Sequence, residues 1–268
     1  TLPLMPIQAA AMAANGRMAR RLPRLYHRWS CRILGFRLTV AGKRSTKQPT
    51  LFVANHTSYV DIEILGALIE GSFIAKSEVA RWPLFGWLAK LQRTVFVDRR
   101  VRSTAVQRDA ISQRLDQGDD LILFPEGTAN DGSCVLPFKS ALFSVASYTG
   151  AHGPLPVQPV SVAYVRLDGI PLGRFHRPFF AWYGDMTLAP HLWTMLGLGI
   201  VDIDVTFHPP VTLAQFGSRK ALAEHCHRVI AAGAASARAG RPQEIAPPAP
   251  AVEPQASAEP ARRAVGAE

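Results

Sequence analysis

The spacing of apolar and polar residues predicts short strands that alternate with helices. The apolar run Leu51–Ala54 has the length of a buried strand, and the residues after it are good helix N-cap types followed by apolar positions at helical spacing. The same reasoning predicts further strands at residues 36–40, 72–76, 94–98, 120–124, 157–165, 179–183 and 200–207, and helices at 102–117 and 218–233.

Two stretches carry a further expectation about the sheet. Pro159 cannot donate a backbone hydrogen bond, which favours an edge position or a bulge for the strand that contains it. Residues 82–91 are apolar nearly all round and predict a short helix or a hairpin. Strands alternating with helices indicate an α/β fold, with a central sheet flanked by helices.

The excess of positive over negative charge lies in the N-terminal part of the chain. The formal net charge is +10, yet residues 1–60 hold ten of the 30 basic side chains and none of the 20 acidic ones. We therefore divide the chain into a basic arm at 1–47, a main domain at 48–236 and an Ala- and Pro-rich tail at 237–268, which is predicted to be disordered.

The basic arm suits an anionic surface, either nucleic acid or acidic lipid. Leu22, Tyr26 and Trp29 lie three or four residues apart among the arginines, a spacing typical of a basic amphipathic helix lying on a membrane. Membrane lipid is therefore the predicted partner and nucleic acid is not. A helix packed on its own core with a solvated basic face explains the same spacing.

Neither a spanning segment nor a metal site is predicted. The chain contains no run of 18 apolar residues, and it begins at Thr1 without Met, so an upstream hydrophobic anchor is an open expectation. The three cysteines are too far apart for a Cys-x-x-Cys site and fit a reducing compartment. We accordingly expect no metal.

The junction after the strand Leu51–Ala54 carries the main candidate chemistry. His56 comes where the strand ends, and Asp61 lies in the first turn of the next helix, so that the carboxylate can return to the imidazole. A carboxylate in that place fixes the tautomer of a histidine that takes a proton from a hydroxyl group. A helix cap beside a solvated histidine is the ordinary alternative.

Polar residues also follow three other predicted strands. They are Lys76, Arg99 and the run Glu126, Gly127 and Thr128. In open α/β sheets, ligands bind beyond the carboxyl ends of the strands, which places these residues in one predicted crevice.

These motifs resemble the blocks of the glycerolipid acyltransferase family, which includes lysophosphatidic acid acyltransferases. Asn55, His56, Ser58 and Asp61 match its Asn-His-x-Ser-x-x-Asp block. Phe96 and Arg99 match its Phe-x-x-Arg element, residues 124–128 match Phe-Pro-Glu-Gly-Thr, and residues 157–160 match an apolar segment around a proline. The resemblance covers roughly residues 35–210.

The resemblance implies a mixed sheet of the glycerol-3-phosphate acyltransferase type and an O-acyltransferase that acts in membrane phospholipid biosynthesis. A fatty acyl group would pass from acyl-CoA or acyl carrier protein to a lysolipid hydroxyl, with lysophosphatidate as the first candidate acceptor. His56 would be the base and Asp61 its support. Arg99, Glu126, Gly127, Thr128 and Lys76 would bind substrate. No cofactor beyond the acyl donor is implied, and the expected location is the cytoplasmic face of the membrane.

One position departs from the family pattern and keeps other acceptors open. The family usually has Arg after Glu-Gly-Thr, where it is associated with the acceptor phosphate, and this chain has Ala129. Arg99, Lys76 and Lys139 are the remaining cations for an anion, or the acceptor lacks a phosphomonoester, as in lyso-ornithine lipid. A non-enzymatic membrane-binding module and a lipid or thioester hydrolase are the alternatives from other functional classes.

Overall fold

A computed structural model describes residues 3–14, 17–97, 104–150 and 153–241. The helices are α1 Leu4–Ala13, α2 Met18–Ile33, α3 Asp61–Leu68, α4 Phe85–Leu91, α5 Thr104–Asp116, α6 Leu188–Leu196 and α7 Arg219–Arg238. The strands are β1 Phe36–Gly42, β2 Leu51–Ala54, β3 Gly71–Lys76, β4 Val95–Val97, β5 Asp120–Leu123, β6 Thr149–Gly150, β7 Gly153–Pro154, β8 Val157–Leu167, β9 Ile170–Pro171 and β10 Val201–Phe207.

The predicted mixed sheet is confirmed. Its strands follow the order β1-β10-β8-β2-β5-β3-β4, with β9 paired to β8. The neighbours β8, β2, β5, β3 and β4 run parallel to one another, whereas β10 pairs antiparallel with β8. Because β2, β5 and β3 are parallel neighbours, the loops that follow them leave the sheet at the same edge.

Helices cover both faces of the sheet, which explains the uninterrupted apolar run of β2. Phe52 and Ala54 contribute to one hydrophobic core together with Ile64 of α3. Leu51 and Val53 point to the other face, into a core shared with α7. Every side chain of β2 is fully buried, so this strand is a rigid base for the residues that follow it.

The N-terminal region contributes to this fold as well as carrying charge. Strand β1 forms the edge of the sheet through parallel pairing with β10. On α2, Ala19 and Cys31 are buried, while Arg24 donates hydrogen bonds to the Ala67 carbonyl of α3 and to Glu70. The helix therefore packs on the domain with one face.

Two sequence expectations are wrong. Residues 179–183 form no strand: the 3-10 turn Arg177–Phe179 comes first, and the Trp182 N–H then donates to the Thr57 carbonyl, 3.1 Å away, instead of to a sheet edge. Strand β8 lies inside the sheet, and its register shift falls between Asp202 and Ile203 of its partner, away from Pro159. The carbonyl of Pro159 still accepts the backbone N–H of His208, just past the end of β10, at 3.0 Å.

Candidate active site

The carboxylate of Asp61 organises the junction between β2 and α3. It is fully buried, and its Oδ2 accepts the backbone N–H groups of Thr57 and Ser58 at 2.7 and 2.9 Å. The same oxygen lies 2.9 Å from Nδ1 of His56. The loop thus wraps around one carboxylate, which satisfies its backbone donors and orients the imidazole at the same time.

Tyr164 on β8 completes the contacts of Asp61, and the sequence motifs do not reveal it. Its hydroxyl donates to Oδ1 of Asp61 at 2.7 Å. Burial and then the neighbouring carboxylate raise the pKa of Tyr164 well above its usual value, so it stays a neutral donor. A tyrosine inside an otherwise apolar buried strand signals a partner for its hydroxyl, although not which one.

The hydrogen bond to Asp61 sets the protonation pattern of His56. A neutral imidazole that donates from Nδ1 has its lone pair on Nε2, where it can accept a proton. Within the described part of the chain, no protein group bonds to Nε2. The ring is half-buried and stacks on Phe124 with centroids 4.2 Å apart, which limits its rotation.

Glu126 supports the same histidine from the neighbouring strand end. Its carboxylate is buried, and Oε1 accepts the backbone N–H of His56 at 2.7 Å. Oε2 accepts from the Asn130 side chain at 2.9 Å and from the Leu136 backbone at 2.8 Å. Burial raises the pKa of Glu126 despite these donors. Glu126 thus connects the loops that follow β2 and β5. That Glu126 also contacts acceptor hydroxyls stays a prediction.

The structure describes three of the four other predicted substrate-binding residues, and they differ in exposure and backbone conformation. Gly127 has φ of 68° and closes the turn after β5, a backbone conformation that suits glycine. Thr128 follows it with an exposed side chain, and Lys76 is exposed at the end of the neighbouring strand β3. Arg99 lies outside the described residues. The strand-end geometry thus brings His56, Asp61, Glu126, Gly127 and Thr128 to one edge of the sheet.

An apolar cavity of about 190 Å³ lies among the N-terminal helices, β3 and α4. Leu22, Ala75 and Ala89 are among its lining residues, and so are Tyr59 and Phe73. Phe73 stacks on Phe124, the ring that also stacks on His56. The cavity is therefore separated from the imidazole by two ring contacts.

Two features are absent from the described residues. No group of three or more His, Cys, Asp or Glu there could hold a metal ion. No described helix is long and apolar enough to cross a membrane.

An imidazole backed by a buried carboxylate lies at a strand end of this mixed α/β sheet, two ring contacts away from an apolar cavity. This arrangement suits an enzyme that takes a proton from a hydroxyl group. A family model described as "Acyltransferase" matches residues 37–163. The fold resembles the crystal structure of the 1-acyl-sn-glycerophosphate acyltransferase PlsC from Thermotoga maritima, with a TM-score of 0.61, 24% identity and coverage of 81% of this chain and 78% of that chain.

The curated relatives share this description. A lyso-ornithine lipid O-acyltransferase of Brucella abortus is 44% identical over 90% of this chain and 92% of its own length. One from Rhizobium meliloti is 41% identical over 82% and 77%. A 1-acyl-sn-glycerol-3-phosphate acyltransferase of Neisseria gonorrhoeae is 32% identical over 71% and 72%. The chain belongs to the acyltransferase family, and it is an O-acyltransferase.

Proposed function

We propose that the protein transfers a fatty acyl group from a thioester, acyl-CoA or acyl carrier protein, to the hydroxyl of a lysolipid, with His56 as general base. The supporting observation is the 2.9 Å contact between His56 Nδ1 and Asp61, which leaves Nε2 as the acceptor. The acceptor hydroxyl gives its proton to Nε2 as its oxygen bonds to the thioester carbonyl carbon. The carbon–sulfur bond then breaks, and the thiolate takes the proton from the imidazolium.

Lyso-ornithine lipid is the acceptor that we propose first, with lysophosphatidate second. Relatives named for lyso-ornithine lipid reach 44% identity, against 32% for one named for the glycerophosphate acceptor. Ala129 stands where the phosphate-associated arginine of the family is expected. An acceptor without a phosphomonoester agrees with both observations.

The apolar cavity provides a place for the fatty acyl chain of the donor. Its lining is mostly apolar, and Phe73 in its wall stacks on Phe124, the ring that also stacks on His56. Burying each methylene there contributes about 0.8 kcal/mol. The cavity would thereby hold the thioester carbonyl near Nε2.

The exposed face of α2 supports peripheral binding at the cytoplasmic face of the membrane. Met18, Leu25, Trp29 and Ile33 are all more than half exposed and lie on one side of the helix. The exposed basic side chains beside this stripe are Arg21, Arg28 and Arg32. An apolar stripe flanked by arginines is the arrangement of a helix that lies in the surface of an anionic bilayer.

The test measures acyl transfer from labelled acyl-CoA and from acyl carrier protein to a panel of lysolipids. His56→Ala is expected to lower kcat by at least about 10²-fold, the usual minimum for a general base, with an unchanged unfolding curve. His225→Ala on α7 is the matched control and should keep wild-type activity. Retained transfer by H56A contradicts the proposal, and fatty acid release without an acceptor favours a hydrolase.

A further inference from the structure

The turn Arg177–Phe179 runs beside the catalytic loop. Trp182 donates its backbone N–H to the Thr57 carbonyl at 3.1 Å, and Thr57 directly follows His56. A methyl group at Gly132 would meet Thr57 Cγ2 at 3.1 Å and Arg177 Cβ at 3.9 Å. Gly132 therefore lies between Arg177 and the loop that carries the imidazole.

The guanidinium of Arg177 lacks a protein partner where one is expected. Its Nε is buried and makes no hydrogen bond, and among the described residues no carboxylate lies within 4.0 Å of the group. A buried donor without a partner is unfavourable, and the rare native cases call for an explanation. An anion supplied by a substrate satisfies the donor.

A second arginine lies in the same neighbourhood. Arg238 ends α7 and is half-buried; burial lowers its pKa, and the positive charge of Arg177 lowers it further. In the described portion of the chain Arg238 has no ion-pair partner within 4.0 Å either. The carbonyl groups at the C-terminal end of α7 stabilise the positive charge of Arg238, but α7 offers no such stabilisation to Arg177.

The chemistry of this pair selects a planar anion. A guanidinium binds a carboxylate through two parallel N–H donors, and two like charges held together are relieved by an anion between them. Ornithine is an amino acid, and a lipid formed by acylating its amino group retains the carboxylate. Arg177 belongs to none of the family motifs, and the motif position expected to hold a phosphate is Ala129.

We propose that Arg177 and Arg238 form the headgroup site of the acceptor and bind the carboxylate of a lyso-amino-acid lipid beside His56. The inference rests on the proposed function, since it names the part of the acceptor that the site recognises. The site holds the headgroup on the Thr57 side of the imidazole and leaves the acceptor hydroxyl to Nε2.

The first experiment compares KM and kcat for lyso-ornithine lipid and for its methyl ester. Arg177→Gln is expected to raise KM for the free acid about tenfold or more, the effect of losing a charge-assisted hydrogen bond, with kcat changed much less. For the methyl ester, wild type and R177Q should have similar KM values. Arg177→Lys should have a KM for the free acid between those of R177Q and wild type. Arg174 is an exposed arginine three residues before Arg177, and Arg174→Gln should have the KM of wild type.

Three results would overturn the headgroup site. They are an equal loss in R177Q for the acid and the ester, a KM for R177Q equal to wild type, and a loss confined to lysophosphatidate, which would mean that the pair binds phosphate. A melting temperature for R177Q close to that of wild type is the check on folding.

A second experiment reads binding without catalysis. Cys134 is exposed and lies near Arg238, whereas Cys31 and Cys226 are buried. Without acyl donor, lyso-ornithine lipid is expected to slow iodoacetamide alkylation of Cys134 several-fold in wild type and not in R177Q. Equal protection in both proteins refutes the site. Protection without any acyl transfer would instead leave the site in place and refute the proposed reaction.

Discussion

At the scale of single residues, the proposed base His56 depends on its contact with Asp61. One buried carboxylate accepts two backbone N–H groups, the imidazole and the Tyr164 hydroxyl. Such a network is stable only when every donor finds its acceptor. Replacing a single oxygen of Asp61 therefore changes the loop and the tautomer together.

We predict that Asp61→Asn lowers kcat for acyl transfer by about 10⁴-fold, because a neutral amide holds the Nδ1–H tautomer of His56 less firmly and no longer stabilises the imidazolium that forms. Steady-state kinetics with an acyl thioester and a lysolipid measure the effect. Tyr164→Phe is the comparison: it removes only the donor to Oδ1, and kcat should fall far less. An activity of D61N within tenfold of wild type would exclude the orienting role.

The sequence identified this pair because its members lie five residues apart on a strand, a turn and a helix. The positioning contact of Glu126 with the His56 backbone was not predicted, since it joins residues 70 positions apart. Sequence patterns name a residue type at a strand end; they do not show which atom it bonds.

At the scale of secondary-structure elements, Asp120 joins the starts of β2 and β5. Its carboxylate accepts the Thr50 backbone N–H at 2.9 Å. Burial raises the pKa of Asp120 from 3.8 to about 6, more than this hydrogen bond lowers it. The neutral carboxyl of Asp120 therefore favours the folded state at low pH. This contribution to the free energy of unfolding is lost as the pH rises through about 6, where the buried carboxyl ionises.

Asp120→Asn keeps an acceptor for Thr50 and removes the ionisation. The difference in free energy of unfolding between D120N and wild type should therefore shift in favour of D120N by about 2 kcal/mol between pH 4 and pH 7.5. Urea unfolding at a series of pH values measures it. Asp109→Asn, at an exposed position of α5, should show no such trend. A difference independent of pH would contradict the buried titration.

Helix α2 combines two of the alternatives that its sequence left open. One face packs on α3, and the opposite apolar stripe is exposed beside basic residues. The amphipathic pattern predicted a helix correctly, but a pattern on one helix cannot show which of two apolar faces the rest of the chain covers.

We predict that the double variant Trp29→Ser, Ile33→Ser weakens binding to vesicles that contain anionic lipid by about 10²-fold or more, since each large apolar side chain contributes about 1.5–3 kcal/mol when buried in lipid. Vesicle flotation measures the change. Ile170→Ser removes an equally exposed residue from β9 and is the control. Unchanged flotation of the double variant would remove α2 from the membrane contact.

At the scale of the whole molecule, the cavity is built from parts of the chain that lie far apart. Leu4 of α1, Leu22 of α2, Phe73 of β3 and Leu88 of α4 all line it. In the sequence, each of these residues has the apolar character expected of an ordinary core position. Only their assembly forms the cavity in which we propose that the acyl chain lies.

Ala89→Leu is predicted to fill part of the cavity and to shift the acyl-donor preference to shorter chains. Each methylene that no longer fits loses about 0.8 kcal/mol, or roughly fourfold in kcat/KM. Competition between acyl-CoA chain lengths measures the shift. Ala232→Leu, at an exposed position of α7, controls for the added side chain. An unchanged chain-length profile would place the acyl chain elsewhere.

The sequence by itself determined the α/β class, the strand ends and the local pairing of His56 with Asp61, because these depend on periodicity and on contacts within one strand–turn–helix unit. The tertiary structure decided which distant groups surround that pair: Tyr164 behind the carboxylate, Arg177 beside the loop and the cavity under the N-terminal helices. It also placed residues 179–183 against Thr57 instead of in the sheet. The reason is physical, since contacts between residues more than a hundred positions apart depend on how whole elements pack, which no local pattern encodes.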